Sequence, residues 1–334
     1  MRVSPAMVFP AFLLLPATIH PQAKNPLFTF NHDGLVRQYL LHTPPRLSAA
    51  APLVFSLHGY TGTFNEQVAK GMDSIADAQG FAVCYPQGSP DTAGKNHWNA
   101  DLRISKVDDV GFLTRLAHSL QAEYGFNPAH TFVTGFSNGG FMSYTLASKA
   151  PDVFRAAAPV AGLMSADTWS QFASKSPVPI CHIHGLADPT VPVDGSMPLK
   201  GGWGGGPTVD SLEAFWSRFN RCTSLDTAFL KPRTHARYHR NGIGGNQVWF
   251  FRIDGLAHQF PNAATGLAAS AVTWEFFAKQ IASSSGLEGR LAPAGVKPRL
   301  SPIGSWEWFR ADGSRVGSER QGSRERKDYL TFKE

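Results

Sequence analysis

Residues 131–148 read Thr-Phe-Val-Thr-Gly-Phe-Ser-Asn-Gly-Gly-Phe-Met-Ser-Tyr-Thr-Leu-Ala-Ser, and they set Ser137 between Gly135 and Gly139. An apolar, β-prone run precedes the serine and a helix-like run follows it, so the chain must turn from strand to helix almost at Ser137 itself. Glycine at both flanks lets such a turn tighten and lets the helix pack close to the strand, which lifts the hydroxyl to the apex as a nucleophile elbow. The spacing alone is a weak signal. It gains force only if the chain also supplies a base and an acid in the right places.

The surrounding sequence supplies the scaffold such a turn requires. Apolar runs at 36–42, 52–59, 81–86, 131–136, 155–162, 178–185 and 247–253 read as strands. Helix-like segments lie between or after them at 66–80, 108–125, 139–150, 209–219 and 268–282, the first of these closed by Gly80. In the segment at 108–125, Val110, Leu113, Leu116, Leu120 and Tyr124 recur at helical spacing, and Asp108 and Asp109 stand where the positive end of the helix dipole begins. Strands that are apolar throughout and separated by helices predict an α/β domain over 27–283, a mostly parallel central sheet with helices on both faces.

The two ends differ from this pattern. Arg2 followed by the short, proline-interrupted apolar run at 6–19 predicts an export signal over residues 1–23, too short to span a bilayer, and hence a secreted or periplasmic protein. No later run predicts an integral membrane segment. Residues 284–334 read as a Ser, Gly and Pro linker and a short charged extension, whose alternating residues around Asp312-Gly313 suit a β-hairpin. Of the formal net charge of +6, the stretch 287–334 carries ten Lys or Arg against seven Asp or Glu. That excess, with no basic helix or aromatic-and-basic stripe elsewhere, predicts solubility or loose attraction to an anionic matrix and no nucleic-acid partner. Cys84, Cys181 and Cys222 allow at most one internal bridge, and their spacing resembles no zinc site.

A serine hydroxyl becomes a useful nucleophile when an imidazole takes its proton and a carboxylate fixes the imidazole tautomer. On this kind of sheet the chain order should be Ser, acid, His, each at the carboxyl end of a strand. Asp188 follows the strand at 178–185, and His258 follows the strand at 247–253. Asp194, Asp210 and Asp254 are the rival acids, Asp194 being the alternative to Asp188. His182 and His184 alternate along one strand and are read as structural. An acyl-transfer oxyanion needs two backbone N–H donors. Asn138 follows the serine, and the loop His58-Gly59-Tyr60-Thr61 follows an earlier strand, so Asn138 and Tyr60 are the expected pair, with Thr61 as the alternative and His58 holding the loop.

Together, Leu-His-Gly-Tyr-Thr-Gly (57–62), Tyr-Pro-Gln-Gly (85–88), Trp-Asn (98–99), Val-Asp-Asp-Val-Gly-Phe (107–112), Val-Thr-Gly-Phe-Ser-Asn-Gly-Gly (133–140), Ala-Pro-Val-Ala-Gly (158–162) and the run 182–192 resemble the polyhydroxybutyrate depolymerase and feruloyl esterase-like branch of the α/β-hydrolases. The resemblance spans about 35–283 and implies the α/β-hydrolase fold, a Ser137, Asp188 and His258 triad, and no metal or organic cofactor. It implies a secreted serine carboxylesterase acting on feruloyl or related phenolic or polysaccharide esters. Polyhydroxyalkanoate depolymerase and acetyl xylan esterase remain open, so the partner is an ester substrate, plant polysaccharide-linked or polyester. One departure is Phe260, where the family carries Trp two residues after the His. Trp98, Trp203 and Phe260 are the candidate substrate-binding aromatics. A reading of another class, a noncatalytic glycan-binding protein on a hydrolase scaffold, would use Trp98 and Trp203 as exposed aromatics.

Overall fold

The computed structural model describes residues 25–45, 47–284, 296–300, 306–310 and 315–319. The expected signal segment 1–23 and much of the 284–334 extension lie outside the described residues. The strands of the main sheet are β1 (Leu27–His32), β2 (Leu35–His42), β3 (Leu53–Leu57), β4 (Ala82–Pro86), β7 (Thr131–Phe136), β8 (Ala156–Val160), β9 (Ile180–Gly185), β10 (Ser224–Leu230), β11 (Thr234–Arg240) and β12 (Val248–Ile253). Two short strands, β5 (Ser89–Pro90) and β6 (Asn96–His97), pair with each other. The spatial order is β1-β2-β4-β3-β7-β8-β9-β12-β11-β10, parallel from β4 to β12 and antiparallel at both flanks.

The helices are α1 (Phe64–Val68), α2 (Met72–Gln79), α3 (Asp109–Tyr124), α4 (Asn138–Lys149), α5 (Ala166–Ser170), α6 (Val209–Phe219) and α7 (Ala269–Ser284). They divide between the faces because alternate strand side chains point to opposite sides of a sheet. Phe55, Leu57 and Val133 pack with Leu113, Phe141 and Trp216 of α3, α4 and α6. Val54, Phe132 and Ile183 pack with Met72 of α2 and Phe277 of α7 on the other face. Both faces are therefore dry, which explains why the central strands read as continuous apolar runs.

The fold departs from the sequence reading in particular places. The expected helix at 66–80 is two helices, because Gly71 adopts φ 86° between α1 and α2 and a left-handed residue interrupts the hydrogen-bond ladder. On α3 the buried stripe centres on Phe112, Leu113, Leu116 and Leu120, while Tyr124 is exposed. The edge strands β1 and β10, and β11 beside β10, are additions to the strands that the sequence predicts. Beyond the main domain, β13 (Val296–Leu300), β14 (Trp306–Arg310) and β15 (Arg315–Glu319) form a three-stranded antiparallel sheet in that order. All three cysteines are free thiols, Cys84 and Cys181 being buried.

Two buried charge clusters fasten the layers. Arg37 of β2 donates to Asp109 at 2.7 Å and lies over the Phe112 ring, 3.9 Å from its centroid, so it fixes the start of α3. Glu213 of α6 accepts from Arg237 at 2.5 Å, His239 at 2.6 Å and Arg252 at 2.7 Å, joining α6 to β11 and β12. Burial alone would raise the Glu213 carboxyl, but these donors outweigh it and bring it down to about 2.

Glu213→Gln should therefore lower unfolding free energy by about 2 kcal/mol at pH 7, since it takes the charged acceptor from His239 and the partly exposed Arg237 while Arg252 keeps Asp210. The folded carboxyl titrates lower than the unfolded one, so its contribution is complete above roughly pH 4.5 and fades as pH falls through about 2. Urea denaturation of parent and variant at pH 7 and pH 3 should show the gap narrowing at the lower pH.

Candidate active site

Ser137 sits between β7 and α4 at φ 53°, ψ −115°, a conformation that L-residues avoid. Its amide donates to Val160 O at 2.8 Å and its carbonyl accepts from Phe141 N at 3.0 Å, so neighbours on both sides hold the turn. The flanking glycines are required by contact. A Cβ on Gly135 would lie 2.4 Å from the Gly139 carbonyl, and one on Gly139 would lie 2.4 Å from Leu57 O of β3.

Three loops bring together the side chains that the chain separates. His258, after β12, has Nε2 2.8 Å from Ser137 Oγ and Nδ1 2.7 Å from Asp188 Oδ2. A carboxylate only accepts, so Nδ1–H is the donor to Asp188 and Nε2 is left to accept from the serine hydroxyl. Asp188 Oδ1 accepts from the amides of Thr190 and Val191, each at 2.8 Å. Burial on its own would raise this carboxyl, but hydrogen bonds from His184, His258 and the Val191 amide hold it well below the usual carboxylate range. The arrangement can pass a proton from Oγ to Nε2 while a fixed anion stabilises the resulting imidazolium.

None of the rival acids partners His258. Asp194 caps the Ser196 amide at 3.0 Å, Asp210 pairs with Arg252 at 2.6 Å, and Asp254 pairs with His235 at 2.9 Å. The candidate that the structure places in a different role is Trp98. It was expected to be an exposed aromatic, yet it is fully buried and cannot meet a ligand. Its indole N–H donates to His58 O at 3.0 Å, its backbone N–H donates to Asn138 Oδ1 at 2.6 Å, and its carbonyl accepts from Asn138 Nδ2 at 2.9 Å. One residue, through its indole and its backbone, thus ties the loop bearing Tyr60 to the first residue of α4.

The backbone amides of Tyr60 and Asn138 donate to no acceptor among the described residues, whereas the Thr61 amide is taken by Asn96 O at 2.8 Å. Thr61 is thereby excluded as an oxyanion donor. His58 is buried and holds the loop: its Nε2 accepts from the Gly88 amide at 2.9 Å and its Nδ1–H donates to Gly59 O at 2.7 Å. Burial pushes this ring down to about 4, so it stays neutral. The Tyr60 hydroxyl donates to Asp91 at 2.6 Å. Trp203 stands edge-on to Tyr60 and to Phe141, with ring centroids 5.6 and 5.4 Å apart. Its loop is fixed to the 102–104 segment by Arg103 N donating to Gly201 O at 2.8 Å. Phe260, half-buried, meets Phe136 edge-on at 6.1 Å, and Phe136 in turn lies 5.0 Å from the His258 ring.

Residues 115–200 match the family model described as Phospholipase/Carboxylesterase. A protein named probable feruloyl esterase C from Aspergillus flavus is 30% identical over 247 residues, covering 72% of this chain and 83% of its own. The chain belongs to the feruloyl esterase-like family of α/β-hydrolases. NocK of Nocardia uniformis subsp. tsuyamanensis, an esterase by name, is 34% identical over 166 residues. The chain spans about half of that relative's length, 48%. In fold, the chain is similar to an acetyl xylan esterase from Aspergillus awamori, with a TM-score of 0.57 and 17% identity, covering 76% of this chain and 99% of the other. The α/β-hydrolase fold is thus the architecture that the motifs implied.

Gly139→Ala should destabilise the protein by about 3 kcal/mol, the upper end of what overpacking costs, because the new methyl meets backbone rather than a movable side chain. Calorimetry would register this as a melting temperature several degrees below the parent.

Proposed function

We propose that the protein is a secreted serine carboxylesterase that works through an acyl-enzyme. In this reading Ser137 attacks the ester carbonyl, His258 takes its proton and returns it to the leaving alcohol, and Asp188 orients the imidazole. The amides of Asn138 and Tyr60 receive the oxyanion. Water, activated by the same imidazole, then releases the acid. The observation that carries the reading is the imidazole of His258 hydrogen-bonded on one side to Ser137 Oγ at 2.8 Å and on the other to Asp188 at 2.7 Å. The amides of Asn138 and of Tyr60 in the loop after β3, which donate to no acceptor among the described residues, support it. Export is supported by the charged and apolar start of the chain, and among the described residues no helix is long and apolar enough to cross a membrane.

The proposed substrate is a feruloyl or related phenolic ester on plant polysaccharide. Trp203, half-buried, meets the exposed Tyr60 edge-on beside the oxyanion loop, with the buried Phe141 backing Trp203, and these two rings suit a planar aromatic acyl group. Phe260 is proposed to wall the side next to His258. Polyhydroxyalkanoate and acetylated xylan use the same chemistry and are the competing substrates. The glycan-binding alternative loses one of its two exposed aromatics, since Trp98 is buried.

Ser137→Ala should reduce hydrolysis of a short p-nitrophenyl ester by roughly 10⁴-fold or more, with the melting temperature unchanged. Equal turnover by parent and variant would refute the assignment. Among methyl ferulate, acetylated xylan and polyhydroxybutyrate, methyl ferulate should give the highest kcat/KM.

A further inference from the structure

Behind Asp188 runs a line of buried polar side chains that the acyl-transfer scheme leaves unused. His184 of β9 has Nε2 2.8 Å from Val191 O and 3.4 Å from Asp188 Oδ2, the same oxygen that His258 contacts. Its Nδ1 lies 3.1 Å from His182 Nε2, and His182 Nδ1 lies 2.9 Å from the Tyr144 hydroxyl of α4. Both rings and the tyrosine are fully buried.

The protons in this line can be assigned from one end. Val191 O only accepts, so His184 Nε2 carries hydrogen. In a neutral ring Nδ1 must then accept, which makes His182 Nε2–H the donor to it, leaves His182 Nδ1 accepting, and makes Tyr144 O–H the donor at the far end. A charged His184 would draw the carboxylate to the 2.7–2.9 Å typical of a charge-assisted bond. The observed 3.4 Å to Asp188, with the neutral carbonyl nearer, fits the neutral ring. Every hydrogen in the line therefore points toward Asp188.

We propose that His184 is a positioning residue for the Asp188 carboxylate, and that Tyr144 and His182 fix the tautomer through which it acts. The inference rests on the serine esterase reading. The His184 N–H presents the positive end of its dipole to Oδ2, shares the carboxylate's charge with His258, and limits rotation of the acid that orients the catalytic ring. Reversing the tautomers would set a lone pair against Val191 O and turn the dipole away. The groups facing this line are His258 from the loop after β12, Tyr144 from α4, and Arg252 of β12, whose charge opposes protonation of His182 and is itself paired with Asp210 and Glu213.

Tyr144→Phe removes one oxygen from the far end, and it should lower kcat about tenfold with KM unchanged. His184→Phe should lower kcat by about 100-fold, the scale of a small misplacement of catalytic groups. It should also move the acid limb of the pH–rate profile to higher pH, because undivided carboxylate charge favours the protonated form of His258. His184→Gln, which keeps an N–H donor, should recover most of the loss. Nitrogen-15 NMR of the parent should show both His182 and His184 neutral and protonated at Nε2. A Tyr144→Phe enzyme within twofold of the parent, or rings protonated at Nδ1, would overturn the inference even if the His184 variants fail to fold. Labelling of the parent's Ser137 by a fluorophosphonate separates the two readings. An unlabelled parent overturns the esterase reading and this inference with it, and a labelled parent with an unaffected Tyr144→Phe variant overturns this inference alone.

Discussion

The backbone contact between α4 and the strands beneath it is the constraint from which the site follows. Gly139 rests against the Leu57 carbonyl so closely that no Cβ fits, and Gly135 rests against Gly139 in the same way. This approach leaves Ser137 no relaxed conformation, and it holds φ at 53°. Strain of this kind costs of order 1–3 kcal/mol and persists only where the surroundings over-determine the backbone. Here they do so through the Val160 carbonyl, the Phe141 amide and the buried α4. The result is a hydroxyl raised clear of the sheet at the start of a helix, beside amides whose partial positive charge is unspent.

A second layer converts that placement into a site. Trp98 joins the Asn138 side chain to the His58 carbonyl, so the two amides expected to meet an oxyanion are held by one residue. Trp98 is itself anchored nearby: Asp109, ion-paired with Arg37, takes the Asn99 amide on its other oxygen at 2.7 Å. A neutral His58 keeps its loop closed without adding charge to the oxyanion region. Preorganisation of this sort matters because donors fixed before the reaction need no rearrangement as charge develops. The site is assembled from loops, yet each loop is tied to the sheet or to α4.

Much of this was legible in the residues, for identifiable reasons. The central strands are buried on both faces and so announce themselves as apolar runs, and the Ser, Asp, His order follows from where such strands end. Strand β10 buries none of its residues and β1 buries only its last, so neither shows the apolar run that makes a strand visible. Gly71 was legible as a glycine but not as a left-handed one. Trp98 was misread because a tryptophan beside asparagine in a polar loop looks like a surface residue, and only the fold reveals the carbonyl that takes its indole N–H. The partnership of Arg37 with Asp109, and the alignment of Tyr144 with His182, join residues far apart in sequence whose pairing leaves no local trace.

The account turns on proton transfer from one hydroxyl to one ring, and the covalent product of that transfer is the most direct thing to observe. A single-turnover reaction with an activated ester, quenched in acid and mapped by peptide mass spectrometry, should place the acyl mass on the peptide containing Ser137 and on Ser137 within it. Product release with no acyl adduct at Ser137, or an adduct on another side chain, would contradict it.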